Sequence, residues 1–98
     1  MFNPQMLNKL KKMQKDMEDA QKQIEETEFI GTSGGGAVVI KALGSKEIIK
    51  VTIDKELDDI EMLEDLILTA VNDCIRRIEK ETEKALAPYQ QGALGGLF

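Results

Sequence analysis

One segment of the chain, residues 31–54, has apolar residues at every second position, and this spacing constrains the fold more than any other feature. Within it, residues 37–43 and 46–53 are rich in valine and isoleucine. Gly44 and Ser45 lie between them and are typical of the two-residue turn that closes a β-hairpin. The segment therefore predicts two paired antiparallel strands.

The two-residue turn also predicts how these strands align. It places Leu43 opposite Lys46, Ile40 opposite Ile49 and Val38 opposite Val51, with Ile53 on the same apolar face. Upstream, residues 28–33 supply a third strand, and the glycines at 34–36 turn the chain between the two. The prediction is a three-stranded antiparallel β-meander. It needs a packing partner, because an isolated hairpin is marginal in water.

A long helix is predicted before the sheet. Asn3 is a typical N-cap, Pro4 suits the first helical position, and no helix breaker follows until about Thr27. The apolar residues form a narrow seam that suits packing on one other helix: Leu7, Leu10, Met13, Met17, Ala20 and Ile24. At about 35 Å this helix is longer than the strands, which reach about 27 Å. Part of it must therefore project or pair with a helix.

A second long helix is predicted after the sheet, with Asp58 as its cap and Glu61 completing a capping box. Its apolar stripe is wide enough to face both the sheet and the first helix. Pro88 is expected to end this helix, and residues 89–98 form a glycine-rich flexible tail. These elements predict one α+β domain over residues 1–88.

The length of the chain favours a homodimer, and its composition favours the cytoplasm. A chain of 98 residues buries only about 60 to 65% of its unfolded surface, so a core shared by two copies would add stability. Cys74 is the one cysteine, and without a disulfide partner it fits a reducing compartment. Neither a signal peptide nor an apolar run of membrane-spanning length is present, so no membrane partner is predicted.

The charges are sorted along the chain, although the net charge is −5. Residues 1–15 hold four lysines and no acid, whereas residues 16–28 hold six acids and one lysine. This order opposes the macrodipole of the first helix and suggests an anionic partner. Arg76, Lys80 and Lys84 form a ridge on the second helix, where a solvated helix end is the simpler explanation.

The sorted positive charges are brought together when both helices fold back on the short hairpin. The helices then lie side by side and antiparallel, so the basic start of the first meets the basic end of the second. Such tips would attract the phosphate backbone of duplex DNA, mainly without base specificity. The predicted DNA-binding residues are Lys9, Lys11, Lys12, Lys15, Arg76, Lys80 and Lys84.

Catalysis has little support in the sequence, and no cofactor, metal or small-molecule substrate is predicted. There is no histidine, and the serines and threonines have no adjacent base. The glycines at 34–36 lack the Lys-Ser/Thr of a phosphate loop, and the acids at 54–59 lack the glycine and final glutamate of a calcium loop.

An alternative to DNA binding is an adaptor that docks a partner helix. It would use the methionine seam, chiefly Met13 and Met17, and the apolar tail of Leu94, Leu97 and Phe98.

The sequence resembles the YbaB/EbfC family of small bacterial nucleoid-associated proteins over nearly its whole length. The resemblance is carried by the Asn3-Pro4 start, Met-Leu-x-Lys-Leu at 6–10, GGG before the hairpin and Leu-Glu-Asp-Leu at 63–66. It implies a tweezer-like homodimer whose helices project from a shared β body, and which binds DNA in the cytoplasm or nucleoid and alters its conformation. It also implies roles in nucleoid organisation and gene regulation, and no catalytic residues.

Overall fold

The computed structural model describes the backbone of residues 3–97 and the side chains of residues 3–90. Its elements are α1 (Pro4–Glu26), β1 (Glu28–Ser33), a 3₁₀ turn (Gly34–Gly36), β2 (Val38–Leu43), β3 (Ile48–Ile53) and α2 (Ile60–Leu97). The strands form one antiparallel sheet in the order β1-β2-β3. The predicted α+β architecture, with a helix before and after a three-stranded meander, is confirmed.

The first helix starts and ends where its capping residues predict. The side chain of Asn3 accepts a hydrogen bond from the backbone N–H of Met6 at 2.7 Å, and Pro4 lies in the first turn. At the other end the N–H of Thr27 donates to the carbonyl of Ile24 at 3.0 Å. No residue of α1 is fully buried, so its apolar seam is a partial contact and not a core.

The hairpin between β2 and β3 differs from the predicted register by two residues. Val38 pairs with Ile53 and not with Val51, and Ile40 pairs with Val51 and not with Ile49. A shift by an even number of residues keeps alternate side chains on the same face. The predicted pairing is therefore wrong, but Val38, Ile40, Val51 and Ile53 still share one apolar face.

The shift has two causes, and each adds one residue. The turn has three residues, 44–46, in place of two, and a bulge between Lys41 and Ala42 leaves Ile49 without a partner and pairs Ile48 with Ala42. The N–H of Lys46 donates to the carbonyl of Leu43 at 2.8 Å, and the N–H of Leu43 donates to the carbonyl of Glu47 at 2.9 Å. Lys46 has a φ of +75°, the left-handed conformation that closes this type of loop. Glycine is the usual residue there, so the sequence carries no signal for a lysine in that position.

The core lies between α2 and the first two strands. The fully buried apolar side chains come from β2 and α2: Val38, Ile40, Ala42, Ala70, Cys74 and Ile78. Gly31 of β1 permits the close approach, because a Cβ at this position would overlap the backbone of α2 at Ala70 and Cys74. The contact between α2 and the sheet therefore depends on one position that has no side chain.

The third strand, β3, is not covered by α2. Every residue of β3 is exposed, although three of them continue the apolar face of the sheet: Ile48, Val51 and Ile53. A helix about 10 Å wide covers two strands that are about 4.8 Å apart, so the third falls beyond its reach. We call Ile48, Val51 and Ile53 the apolar strip.

The second helix starts one residue later than predicted and ends about ten residues later. Its cap is Asp59 and not Asp58, since the Oδ1 of Asp59 accepts from the N–H of Met62 at 3.2 Å. The helix then continues through Pro88 to Leu97, so the prediction that Pro88 ends it is wrong. Proline removes one backbone hydrogen bond of the helix, and Tyr89, the next residue, lines a cleft with Leu10 and Met13 of α1.

The molecule is elongated, measuring 67 × 23 × 15 Å with a radius of gyration of 19.3 Å. A compact chain of this length would have a radius of gyration of about 13 Å. The excess comes from α1 and the part of α2 packed on it, which we call the helical arm. Within residues 3–97, neither helix combines the length and hydropathy that a membrane crossing requires.

Candidate nucleic-acid interface

The two helices of the helical arm run antiparallel. Leu10 and Met13 of α1 lie beside Tyr89 of α2, around a small cleft at the outer end of the arm. Nearer the sheet, Ile24 of α1 lies beside Ile78 of α2. The start of α1 therefore meets the end of α2, and this part of the predicted arrangement is confirmed.

The four predicted lysines of α1 lie on its outer turns. Lys9, Lys11, Lys12 and Lys15 are all exposed, and no acidic side chain occupies the first turn of the helix. None of the ion pairs formed within residues 3–90 involves them. We call these four residues the lysine patch. Its charge adds to the positive end of the helix macrodipole, so the potential there favours a polyanion.

The basic residues of α2 line a shallow groove against the sheet. One wall is formed by Arg76, Arg77, Lys80 and Lys84, and the other by residues 28–30 of β1. The acidic side chains that also line the groove are Glu28, Asp73 and Glu81. The groove therefore has mixed charge with more cations than acids, and we call Arg76, Lys80 and Lys84 the groove patch.

The prediction that both basic groups share one tip is wrong. Lys84 precedes Tyr89 by five residues, which places it about 7 Å nearer the sheet along α2, and Arg76 is about 20 Å nearer. The cause is the length of α2, which continues to Leu97 instead of ending at about Ala87. The arm therefore carries two separate basic patches, one at its outer end and one beside the sheet.

Asp73 joins α2 to the edge of β1. Its Oδ2 accepts one hydrogen bond from the backbone N–H of Thr32 at 3.1 Å and another from the Nε of Arg77 at 3.1 Å. The Thr32 hydrogen bond, together with the charges of Arg77 and Arg76, holds the pKa of Asp73 below its usual value. Asp73 lies four residues before Arg77, so the two side chains form an ion pair along one face of α2. Sequence reasoning left Arg77 out of the basic set, and the structure places it in the groove.

Replacing Asp73 with Asn should lower the free energy of unfolding by about 0.5 to 1.5 kcal/mol at pH 7, because a neutral amide accepts these hydrogen bonds more weakly. The pKa of Asp73 is lower in the folded chain than in the unfolded one. The stabilisation is therefore present above about pH 4 and is lost as the pH falls through the folded pKa. Urea denaturation at pH 7 and at pH 3 measures both values. A difference between Asp73→Asn and the wild type that is as large at pH 3 as at pH 7 would contradict this assignment.

Cys74 has the environment of a packing residue. Its side chain is buried, and burial, followed by the negative charge of Asp73, raises the pKa of its thiol. Its Sγ lies 3.7 Å from the carbonyl of Phe29, a weak contact. A thiol of this kind is a poor nucleophile at neutral pH. Among the residues that the structure describes, no cluster of three or more histidine, cysteine or carboxylate side chains is arranged to hold a metal ion.

Comparison with known proteins agrees with a DNA-binding function. A family model described as the YbaB/EbfC DNA-binding family matches residues 1–93. A nucleoid-associated protein of Agathobacter rectalis is 44% identical over 96 residues, which cover 95% of this chain and 85% of that protein. A nucleoid-associated protein of Chloroflexus aurantiacus is 38% identical over 96% of both chains.

A solved structure has a similar fold. The crystal structure of an uncharacterized protein from Helicobacter pylori is similar with a TM-score of 0.70 at 28% identity. The similarity covers 89% of this chain and 95% of that one, so it includes the helices as well as the sheet. The sequence match and the shared architecture together show that this chain belongs to the YbaB/EbfC DNA-binding family.

Proposed function

We propose that the protein is a nucleoid-associated protein that binds duplex DNA as a homodimer and alters the conformation of the DNA. The basic residues of the two helical arms would hold the DNA backbone, and the site of action would be the nucleoid in the cytoplasm. Family membership suggests roles in nucleoid organisation and gene regulation, and no catalytic activity is proposed. The observation that carries the proposal is the exposed lysine patch at the end of the arm in a chain of net charge −5.

The apolar strip supports the homodimer. Ile48, Val51 and Ile53 are 47%, 49% and 36% exposed, and they lie on an edge strand whose outer backbone groups have no neighbouring strand within residues 3–97. Such an edge is a template for pairing with another chain. The β1 edge is different, because Asp73 already accepts from the N–H of Thr32. A second copy of the chain placed at β3 would cover the apolar strip and extend the core into a shared β body.

The distribution of charge supports DNA as the partner. Lysine neutralises phosphate as a point charge and does not read base edges in a bidentate manner, so the lysine patch suits the DNA backbone. Two copies of the chain would present two arms, and each arm carries the same two basic patches. Binding that depends on phosphate contacts should be largely independent of sequence and should weaken steeply as salt increases.

A triple replacement within the lysine patch, Lys9→Gln, Lys11→Gln and Lys12→Gln, should weaken binding to a duplex by at least about tenfold near 0.1 M salt, because phosphate contacts are lost. A mobility-shift titration measures this loss. The matched control replaces the exposed lysines 22, 50 and 55 with Gln, which changes the net charge equally but lies outside both patches. Equal losses in the two triple variants, or no loss in the first, would reject the lysine patch as the binding site.

One observation favours the adaptor as a second candidate. Met6, Leu7 and Leu10 at the outer end of α1 are 50%, 45% and 45% exposed, so part of the apolar seam is open to a partner. Met13 and Met17 are half-buried beside α2 and less available. The predicted tail contacts of Leu94, Leu97 and Phe98 lie outside the side chains that the structure describes. A partner protein whose capture is abolished by Leu7→Gln and Leu10→Gln, but survives the lysine replacements, would support the adaptor.

A further inference from the structure

The helical arm has two side faces that can be told apart by the clefts between its helices. One cleft is lined by Gln23 and Thr27 of α1 with Glu81 and Ala85 of α2. The cleft on the other side is lined by Gln21 and Glu25 of α1 with Glu79, Thr82 and Glu83 of α2. Because the two sets of residues alternate along both helices, the clefts lie on opposite sides of the arm.

The two faces differ in charge at the level of α2. Glu81 lines the first cleft and also the groove that contains the groove patch, so these features lie on the same side of the arm. The second cleft instead has three glutamates, Glu25, Glu79 and Glu83, and one cation, Lys46, which pairs with Glu79 at 3.4 Å. We call the first side the basic face and the second side the acidic face.

The periodicity of α1 divides the lysine patch between these faces. Steps of three and four residues from Thr27 along the basic face pass through Gln23 and Ala20 and reach Asp16, Lys12 and Lys9. The same steps from Glu25 along the acidic face pass through Gln21 and reach Glu18 and Lys11. At 100° per residue, Lys9 and Lys11 are about 200° apart, and Lys15 lies on the side of α1 turned away from α2.

We propose that the DNA backbone is held by the basic face alone, with Lys9 and Lys12 making phosphate contacts on the same side as the groove patch. The inference rests on the proposed DNA binding and names the part of the arm that performs it. Lys11 and Lys15 then face away from the duplex. Charges are screened over about 8 Å at physiological salt, and α1 with its side chains is about 10 Å wide, so their effect on bound DNA is small. The glutamates of the acidic face oppose binding on that side.

Two double variants of the full-length chain test this assignment, and both remove two exposed lysines from the same helix. Fluorescence anisotropy with a labelled duplex of about 30 base pairs measures affinity at several salt concentrations. Lys9→Gln with Lys12→Gln removes four lysines from the two arms of the dimer, so it should weaken binding by about tenfold or more and flatten the slope of log K against log salt by about 3.6. Lys11→Gln with Lys15→Gln should weaken binding less than about threefold and leave the slope unchanged.

Neutralising an acidic residue on each face tests the assignment in the opposite direction, because it removes repulsion of DNA and not attraction. Asp16→Asn on the basic face should tighten binding by about two- to fivefold, whereas Glu18→Gln on the acidic face should have no effect. Equal losses from the two lysine pairs, or a larger loss from Lys11 and Lys15, would overturn the basic face while DNA binding stands. A wild-type protein that does not bind the duplex would overturn the proposed function and this inference together. Circular dichroism of each variant confirms that α1 remains folded.

Discussion

Replacing Gly31 with Ala is expected to destabilise the fold by about 3 kcal/mol or more, a large part of the 5 to 15 kcal/mol that holds a typical domain. The added Cβ would overlap the carbonyl of Ala70 and lie 2.5 Å from the backbone nitrogen of Cys74. These are backbone atoms of a long helix and cannot rotate away as a side chain can. The helix would have to move off the sheet and open the core at Cys74. Urea denaturation followed by circular dichroism measures the loss.

Gly35→Ala is the matched control for this substitution. Gly35 has a φ of +67°, but a Cβ there meets nothing within 4 Å. The control should therefore cost only the conformational penalty of a left-handed alanine, about 1 to 2 kcal/mol. If Gly31→Ala costs no more than Gly35→Ala, the close packing of α2 on β1 is not a main source of stability.

Replacing Val51 with Glu in the apolar strip should convert the protein from a dimer to a monomer. Val51 is 49% exposed in the single chain, so a charge there is tolerated by the monomer but would be buried without a partner in the proposed interface. A monomer offers one arm to DNA, so affinity should fall on the order of a hundredfold through the loss of avidity. Light scattering measures the mass, and anisotropy measures the affinity.

Thr52→Glu tests whether this effect belongs to one face of the strand. Thr52 neighbours Val51 in β3, is exposed, and points to the opposite face of the sheet. We expect this variant to keep the mass of the wild type. A wild-type chain that is monomeric, or a dimer that survives Val51→Glu, would contradict the proposed interface.

The regular elements were predictable because each has a local cause. Asn3 and Pro4 define the start of α1, the apolar alternation defines β2 and β3, and the three glycines at 34–36, all with positive φ, define the turn before β2. Chemical signals of this kind act within a few residues of where they occur. The structures that these signals predict therefore form in the folded chain independently of contacts with distant residues.

The features that the sequence misplaced depend on contacts between distant residues. The register of the hairpin depends on Lys46 in a left-handed conformation and on the bulge between Lys41 and Ala42. The continuation of α2 past Pro88 places Tyr89 beside α1, a contact between residues far apart in the chain. The exposure of the apolar strip depends on how many strands one helix can cover. The mismatch between three apolar strands and one wide helix was a signal in the sequence that could have indicated an uncovered edge.

The candidate site was predicted in part for the same reason. The residue types of both basic patches follow from counting charges along the helices, and the antiparallel pairing of the helices follows from the short hairpin. The position of the groove patch, about 7 to 20 Å nearer the sheet than Tyr89, follows only from the observed length of α2. Because the predicted end of α2 was about ten residues too early, the sequence predicted one basic tip where the structure has two basic patches.

The salt dependence of binding to duplex DNA tests most directly whether an acidic chain holds a polyanion through sorted cations. The plot of log K against log salt should fall linearly for the wild type. It should become less steep by about 0.9 for every phosphate contact removed with the lysine patch. A wild type that fails to bind duplex DNA, or a variant with Lys9→Gln, Lys11→Gln and Lys12→Gln that keeps the slope and affinity of the wild type, would contradict this account.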